Sequence, residues 1–332
     1  MKLVISPPVS GERLAKIAAA AAPMSVVNTR DEDHAAAEIT DADALFGYLT
    51  PRLLKAATRL RWAQSPTASM EKYLYPDLVA SPVIVTNMRG IFSDVIADHV
   101  FGYILMFAKN FHIYMRQQLR CEWRMLGRDA NELPGYGGPG EVHPSDRAAI
   151  TLADCTLAVI GLGGIGSEVA RRGFAFGMRV LAVDPRAASA PDGVTLFRND
   201  RLPEVLGQSD FVVIAAPHTP ETYKLFNRER IRQMKKSAYL INIGRGVIVD
   251  LADLTESLQA GEIAGAGLDV YEIEPLPKEH PLWRMENVIL TPHCAAASPR
   301  VPERHEQTLL DNLRRFVAGQ PLLNIVDKKM WC

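Results

Sequence analysis

The chain has few cysteines, little net charge and no long hydrophobic run. Its four cysteines are widely spaced and form no Cys-x-x-Cys pair, which argues against a disulfide scaffold and against a zinc site. A formal charge of −1 gives no electrostatic reason to expect nucleic acid or an anionic membrane as a partner. No apolar stretch reaches the roughly 18 residues that a membrane span requires. We therefore expect a cytoplasmic protein with reduced thiols and no metal.

The remaining composition is that of an ordinary globular protein. Hydrophobic residues make up 48% of the sequence and charged residues 23%, values typical of such proteins. A chain of 332 residues is long for a single hydrophobic core, so we expect two domains. The first apolar run, at residues 3–5, is too short for a signal peptide and predicts a strand.

Short apolar runs alternate with helical segments along the whole chain. In the first hundred residues this pattern predicts strands at 3–5, 25–28, 44–48, 61–64 and 83–86. A long apolar helix is predicted over 91–118, and a loop rich in glycine and proline over 127–147. Six buried strands follow, at 157–161, 180–184, 211–215, 238–243, 266–270 and 288–291. The alternation predicts an α/β protein whose second part is a doubly wound parallel sheet.

A glycine-rich sequence at residues 161–166 has the context of a dinucleotide-binding site. It follows a predicted strand and precedes a predicted helix at 167–176. Gly161 permits the tight turn, Gly163 lets the backbone approach the pyrophosphate, and Gly166 allows close helix–strand packing. Asp184 ends the next predicted strand, where a carboxylate accepts hydrogen bonds from the adenosine ribose and repels the 2′-phosphate of NADP. We therefore expect NAD and not NADP, although Arg186 could accommodate a phosphate.

Three short sequences late in the chain each carry one chemically useful side chain, Arg245, Glu274 or His293. A guanidinium can clamp a carboxylate, an imidazole can supply a proton, and an acid can support the charged imidazole. These are the groups that reduction of a 2-keto acid requires. Singly, each also fits a solvated or loop-capping role. Together, in this order after a dinucleotide motif, they favour the catalytic interpretation.

In the order of these motifs the chain resembles the D-isomer-specific 2-hydroxyacid dehydrogenases. The matching segments are 85–90, 96–99, 161–166, Asp184, 216–222, 241–250, 267–277 and 291–297. The resemblance implies two Rossmann-like or flavodoxin-like α/β domains. An NAD-binding doubly wound parallel sheet, residues 101–298, would be inserted into a smaller substrate domain, residues 1–100 and 299–332. It also implies a homodimer with the apolar 91–118 helix at its interface.

The resemblance implies reversible hydride transfer between NADH and a 2-keto acid, giving a D-2-hydroxy acid. His293 matches the family's acid/base, Glu274 the carboxylate paired with it, and Arg245 the substrate clamp. The implied cofactor-binding residues are Gly161, Gly163, Gly164, Ile165, Gly166, Asp184, Pro185, Arg186, Ala216, Pro217, Thr222, Ile243, Gly244, Arg245, Asp269, His293, Ala295 and Ala296. The implied substrate-binding residues are Ser69, Met88, Arg89, Gly90, Arg245 and His293.

Some positions depart from the family's pattern or leave two roles open. Ser69 replaces a glycine of the carboxylate-binding turn, so its side chain is expected to narrow the approach to the backbone. Gly244 stands where alanine is common and is expected to loosen the backbone beside the clamp. Arg89 either binds a second anionic group or pairs with the helix that follows. Trp123 either lies in the core or closes the pocket of a partner subunit, and Cys294 is expected to be a buried, inert thiol.

Glyoxylate or hydroxypyruvate is the first expectation for the substrate, and a phosphoglycerate-type compound the second. A rival from another class is an NADH-sensing binding protein of the same fold, which can retain all three polar side chains. A peptide-binding groove on the first domain, and turnover far below an enzyme's typical ~10 per second, would favour that rival. Formate- or phosphite-type oxidation is a third interpretation, which no motif specifically favours.

Overall fold

The chain divides into two compact units, each built on one parallel sheet. The computed structural model describes residues 1–70, 73–128 and 140–329. One unit comprises Met1–Phe92 and the segment from Ser298 onward, and we call it the terminal unit; the other, Ser93–Ala297, is the central unit. Cys332, Glu71 and most of the glycine- and proline-rich sequence predicted as a loop lie outside the described residues.

The terminal unit begins with five short strands. These are β1 (Lys2–Ser6), β2 (Ser25–Asn28), β3 (Ala44–Gly47), β4 (Trp62–Gln64) and β5 (Ile84–Thr86). All pair in parallel, in the order β2-β1-β3-β4-β5. Between them lie α1 (Gly11–Ala21), α2 (Glu32–Glu38), α3 (Pro51–Ala56) and α4 (Pro76–Ala80). Side chains alternate across each strand, so Val4 enters one core and Leu3 and Ile5 enter the core on the opposite face.

The central unit is a seven-stranded parallel sheet. Its strands are β6 (Thr156–Ile160), β7 (Arg179–Val183), β8 (Val194–Phe197), β9 (Phe211–Ile214), β10 (Tyr239–Asn242), β11 (Gly265–Leu268) and β12 (Val288–Leu290). They lie in the order β12-β11-β10-β9-β6-β7-β8. The strand order therefore reverses between β6 and β9, which makes the sheet doubly wound and confirms the predicted fold class.

Helices connect the strands of the central unit. They are α5 (Ser93–Ala108), α6 (Phe111–Leu119), α7 (Pro144–Arg147), α8 (Gly164–Ala175), α9 (Leu202–Gln208), α10 (Arg228–Ile231) and α11 (Leu251–Gln259). The chain then returns to the terminal unit as α12 (Arg300–Val317). No helix in the described part of the chain is long and apolar enough to cross a membrane.

The structure differs from the sequence prediction at three places. The helix predicted over 91–118 is two helices, because Asn110 adopts a left-handed conformation with φ of 56° between α5 and α6. The strand β8 was not predicted, since it is a partly exposed edge strand without a continuous buried run. Pro144 begins a short helix inside the segment predicted as loop, and His143 caps it.

Candidate active site

The loop after β6 has the geometry of a phosphate cradle. Gly161 has φ of 94°, and a Cβ atom there would meet the backbone of Ala216 at 2.8 Å, so the turn requires glycine. At Gly166 a Cβ would meet the carbonyl oxygen of Gly161 at 1.9 Å, which is why α8 can start so close to the strand. Gly163 precedes α8 and no described side chain caps the helix there. The first amide groups of α8 therefore suit an anionic group.

Asp184 follows β7 and is held by the backbone around it. Its carboxylate accepts hydrogen bonds from the amides of Leu162 at 2.7 Å, Arg186 at 2.7 Å and Ala187 at 2.9 Å. Burial alone raises the pKa of Asp184, but these three donors outweigh it and the net pKa is lowered. The side chain of Arg198 braces the same turn by donating to the carbonyl oxygen of Asp184 at 3.0 Å. The result is a fixed, ionised carboxylate beside the glycine-rich loop.

The loop after β9 closes on itself through one threonine. The hydroxyl of Thr222 donates to the carbonyl oxygen of Pro217 at 2.8 Å and accepts from the amide of Thr219 at 2.7 Å. Ala216, at the start of this loop, is buried.

The remaining predicted cofactor residues lie on the loops at the same ends of the strands. Gly164 and Ile165 begin α8, Pro185 follows Asp184, Ile243 follows β10, and Ala296 lies in the loop after β12.

The buried carboxylate of Asp269 organises the loop after β12. Asp269 is 2% exposed and accepts hydrogen bonds from the Thr291 hydroxyl at 2.6 Å and from the amides of Cys294 at 2.9 Å and Ala295 at 3.0 Å. These bonds shape the turn in which His293 adopts φ of 51°. The position of the His293 side chain therefore depends on a carboxylate at the end of the neighbouring strand.

Two residues of α5 complete the network around Asp269. Because the Thr291 hydroxyl donates to Asp269, it accepts from Tyr103 Oη and from His99 Nε2, the latter at 3.1 Å. Burial raises the pKa of Tyr103 above its usual range and lowers that of His99, and both shifts favour the neutral side chain. Sequence reasoning did not assign roles to these two residues or to Thr291. Their one signal is the i, i+4 spacing of His99 and Tyr103 on a largely apolar helix.

His293 and Glu274 form a direct pair. Nδ1 of His293 lies 2.7 Å from Oε2 of Glu274, and the amide of Tyr271 donates to the other oxygen at 3.0 Å. Glu274 is thus fixed by the backbone of its own loop. With Nδ1 engaged, Nε2 of His293 is the nitrogen left to face another partner. The imidazole is 56% exposed, so this nitrogen is accessible.

Arg245 lies on a tightly packed loop after β10. Asn242 holds the loop by donating to the Arg245 carbonyl oxygen at 2.9 Å and accepting from the Gly244 amide at 3.1 Å. A Cβ at Gly246 would meet the Tyr271 backbone at 1.9 Å, so the loop abuts the segment that carries Glu274. A Cβ at Gly244 would meet the Ala216 carbonyl oxygen at 2.7 Å. Gly244 thus provides room for close packing against Ala216.

The predicted substrate residues of the terminal unit lie on the loops after β4 and β5. These loops are joined because Asn87 donates to the carbonyl oxygen of Ala68 at 2.8 Å and the Met88 amide donates to Thr67 at 3.0 Å. Ser69 is in the first loop, while Arg89 and Gly90 are exposed in the second. Met88 is different, since its side chain is 0% exposed in the core. A contact of Met88 with substrate would therefore come from its backbone.

The solvent exposure of two residues, Trp123 and Cys294, corrects two further expectations. Trp123 is fully exposed and is not a core residue. Cys294 is also exposed and not buried, because its amide, and not its side chain, points to Asp269. Within residues 1–70, 73–128 and 140–329, no group of three or more histidine, cysteine or acidic side chains could hold a metal ion.

The topology gathers most of the predicted residues at one edge of the central sheet. Gly161, Asp184 and Ala216 follow strands β6, β7 and β9, whereas Arg245 follows β10 and His293 follows β12. Because parallel strands end at the same edge, the phosphate cradle and the Arg–Glu–His group lie along a single line of loops. This arrangement can hold a dinucleotide at one end and perform proton transfer at the other.

Comparison with known proteins identifies the class that this fold and site define. The model of the NAD-binding domain of the D-isomer specific 2-hydroxyacid dehydrogenases matches residues 101–295. A glyoxylate reductase of Korarchaeum cryptofilum is 31% identical over 296 residues, which cover 88% of this chain and 85% of that protein. The chain belongs to the D-isomer specific 2-hydroxyacid dehydrogenase family. It is an oxidoreductase that acts on a CH–OH group and carries an NAD(P)-binding domain.

Solved structures of the family share the whole fold. One is a D-isomer specific 2-hydroxyacid dehydrogenase of Xanthobacter autotrophicus in complex with NADPH and MES, with a TM-score of 0.80, 29% identity, and coverage of 99% of this chain and 98% of that one. Another is an NADPH-dependent glyoxylate/hydroxypyruvate reductase of Sinorhizobium meliloti in complex with NADP and sulfate. It has a TM-score of 0.80, 26% identity, and coverage of 100% and 99%. The glycine cradle, the uncapped start of α8 and the fixed Asp184 fit a nicotinamide dinucleotide.

Proposed function

We propose that the protein reduces a 2-keto acid to a D-2-hydroxy acid with His293 as the proton donor. The observation that carries the proposal is the 2.7 Å contact between His293 Nδ1 and Glu274. The nicotinamide cofactor, when bound, supplies the hydride that C2 of the substrate receives. His293 gives the Nε2 proton to the carbonyl oxygen of the substrate, while Glu274 orients the ring and offsets its positive charge. In the reverse direction the same nitrogen takes the proton back.

Arg245 binds the carboxylate of the substrate in this proposal. Its loop is held by Asn242 and packed against the Tyr271 backbone, so the guanidinium is carried by a rigid support. A planar guanidinium can grip a carboxylate with two parallel hydrogen bonds and polarise the adjacent carbonyl group. Asp269 orients the nicotinamide amide, because among the described residues Oδ2 accepts only from the Ala295 amide and retains capacity for a second donor.

The substrate proposed first is a small 2-keto acid, glyoxylate or hydroxypyruvate. The support is similarity: the relative from Korarchaeum cryptofilum is a glyoxylate reductase, and the Sinorhizobium meliloti protein is a glyoxylate/hydroxypyruvate reductase. Both are related to this chain along most of its length.

Replacing His293 tests the proton-donor role. Glutamine has no titratable proton, so His293→Gln is expected to lower kcat for keto-acid reduction by ~10²–10⁴-fold while the affinity for the reduced cofactor stays unchanged. The measurements are steady-state kinetics and a fluorescence titration with NADH. His280→Gln is the matched control, because His280 is another histidine of the central unit that caps the short 3-10 helix Pro281–Arg284, and it should retain activity. A His293→Gln enzyme with the kcat of the wild type would refute the assignment.

We propose NAD, and not NADP, as the preferred cofactor. The carboxylate of Asp184 is ionised and fixed by three amides, so it suits two ribose hydroxyls and repels a 2′-phosphate. The proposal sets this chain apart from the two relatives solved with NADPH or NADP.

Asp184→Ala tests this preference. Loss of the carboxylate should weaken NADH binding more than NADPH binding and shift the ratio of their Kd values by ~10-fold, which corresponds to about 1.4 kcal/mol. Asp192→Ala removes a negative charge from an exposed position nearby and should leave the ratio alone. Calorimetric titration of both cofactors gives the ratio directly. An unchanged ratio in Asp184→Ala, or a wild-type preference for NADPH, would contradict the ribose contact.

We propose a homodimer whose interface includes the exposed face of α6. Phe111, Met115 and Leu119 are spaced four residues apart on this helix and are 51%, 56% and 86% exposed, and Trp123, beyond the end of the helix, is 103% exposed. Large apolar side chains exposed together on one helix face mark an interface with another chain. The wild type should sediment as a dimer of the 36.6 kDa chain, and Leu119→Glu should sediment as a monomer because it buries a charge. Gln118→Glu adds the same charge on the same helix and should remain dimeric; a monomeric wild type would refute the proposal.

A further inference from the structure

One ammonium group joins three of the loops at the carboxyl edge of the central sheet. Nζ of Lys224, in the loop after β9, lies 2.8 Å from Oδ2 of Asp250 and 3.4 Å from Oε1 of Glu272. Asp250 ends the loop that carries Arg245, and Glu272 is two residues before Glu274. The ionic bridge therefore connects the loops of two residues that the proposed function requires.

Both carboxylates of the bridge are also fixed at the start of α11. The other oxygen of Asp250 accepts from the amide of Asp253 at 3.2 Å. The other oxygen of Glu272 accepts from the amide of Leu251 at 2.9 Å. The hydrogen bond to Asp250, and then the charge of Glu272, raise the pKa of Lys224, which in turn lowers the pKa of Asp250. The ammonium is thus held from two sides by carboxylates whose positions α11 fixes.

The backbone at Lys224 has a conformation that favours glycine. Its φ is 47°, in the left-handed region, which is unfavourable for a residue with a Cβ atom. The amide of Lys224 donates to the carbonyl oxygen of Val247 at 2.8 Å. A glycine would make the same backbone contact without strain but would lack the ammonium. The strain at this position is therefore accompanied by one gain, the bridge that the side chain makes.

We propose that Lys224 is a positioning residue that holds the loops of Arg245 and Glu274 in fixed relative positions for the reaction. The inference rests on the proposed function, and it adds a residue that acts through two others. The two loops also pack together where Gly246 meets the backbone of Tyr271, with no room for a Cβ atom. A shift of one loop therefore displaces the other, and the bridge opposes such a shift.

Two variants of Lys224 separate the bridge from the backbone strain. Both Lys224→Met and Lys224→Gly remove the charge, but only Lys224→Gly relieves the strain. In both, kcat/KM for glyoxylate or hydroxypyruvate should fall ~10-fold or more, because small displacements of catalytic groups slow a reaction strongly. Kd for NADH should stay unchanged, since Thr222 closes the cofactor loop by its own hydrogen bonds. Lys224→Arg keeps the positive charge and should retain most of the activity.

Thermal unfolding distinguishes positioning from a contribution to stability alone. In Lys224→Gly the relief of strain offsets the loss of the ion pair, so Tm should stay close to that of the wild type while activity is low. If Lys224 only stabilised the fold, activity would follow Tm, and Lys224→Gly would be as active as the wild type. That result, or full activity in Lys224→Met, would overturn the proposal.

Lys235→Met is the matched control. Nζ of Lys235 lies 2.8 Å from Asp210, and the side chain is 36% exposed, against 38% for Lys224. Asp210 directly precedes β9, so this ion pair lies at the amino edge of the same sheet, away from the Arg–Glu–His group. Its loss should leave kcat/KM unchanged.

Hydrogen exchange separates this inference from the proposed function. If the wild type reduced no keto acid, the proposed function would fail, but the bridge could still be tested at the amides of Leu251 and Tyr271. These amides donate to Glu272 and Glu274. Faster exchange of both in Lys224→Met and Lys224→Gly, with no change in the control variant, would support the positioning role. Unchanged exchange in these two variants would overturn it.

Discussion

The buried carboxylate of Asp269 is the constraint on which the candidate active site depends. A carboxylate that is 2% exposed costs several kcal/mol unless hydrogen bonds replace its water. Thr291 and the amides of Cys294 and Ala295 supply these bonds, and in doing so they fold the chain into the turn that carries His293. The His293–Glu274 pair is therefore set by an interaction that neither residue makes itself. Asp269 links β11 to the loop after β12, and α5 reinforces the link through Tyr103.

The rest of the site follows from the parallel sheet. Each strand of the central unit delivers one loop to the same edge, so residues more than a hundred positions apart in sequence form one continuous surface. The half of the sheet formed by β6, β7 and β8 provides glycine backbone and a fixed carboxylate, which suit phosphate and ribose. The half from β10 to β12 provides a guanidinium and an imidazole, which suit a small organic acid. Dehydrogenase chemistry needs both kinds of surface along one edge, because hydride and proton reach adjacent atoms of the substrate.

Much of this could be predicted from sequence, and the exceptions have physical causes. Continuous apolar runs in the sequence predicted Lys2–Ser6 and ten further strands of the structure. The spacing of the glycines predicted the phosphate cradle, since a Cβ atom at Gly161 or Gly166 has no room. The edge strand β8 is half exposed and carries no such run. The break at Asn110 is a backbone conformation that periodicity does not encode. The Tyr103–Thr291 contact spans 188 positions, and the Arg13–His305 contact spans 292. Such tertiary contacts have no local signal.

The stereochemistry of the product tests the central claim most directly. The purified enzyme would be incubated with hydroxypyruvate and NADH, and in parallel with NADPH, and the glycerate formed would be resolved by chiral chromatography. Membership of the D-isomer specific family, with the proposed roles of Arg245 and His293, predicts D-glycerate as the product. Formation of L-glycerate or of a racemic mixture, or no product with either cofactor, would contradict the account.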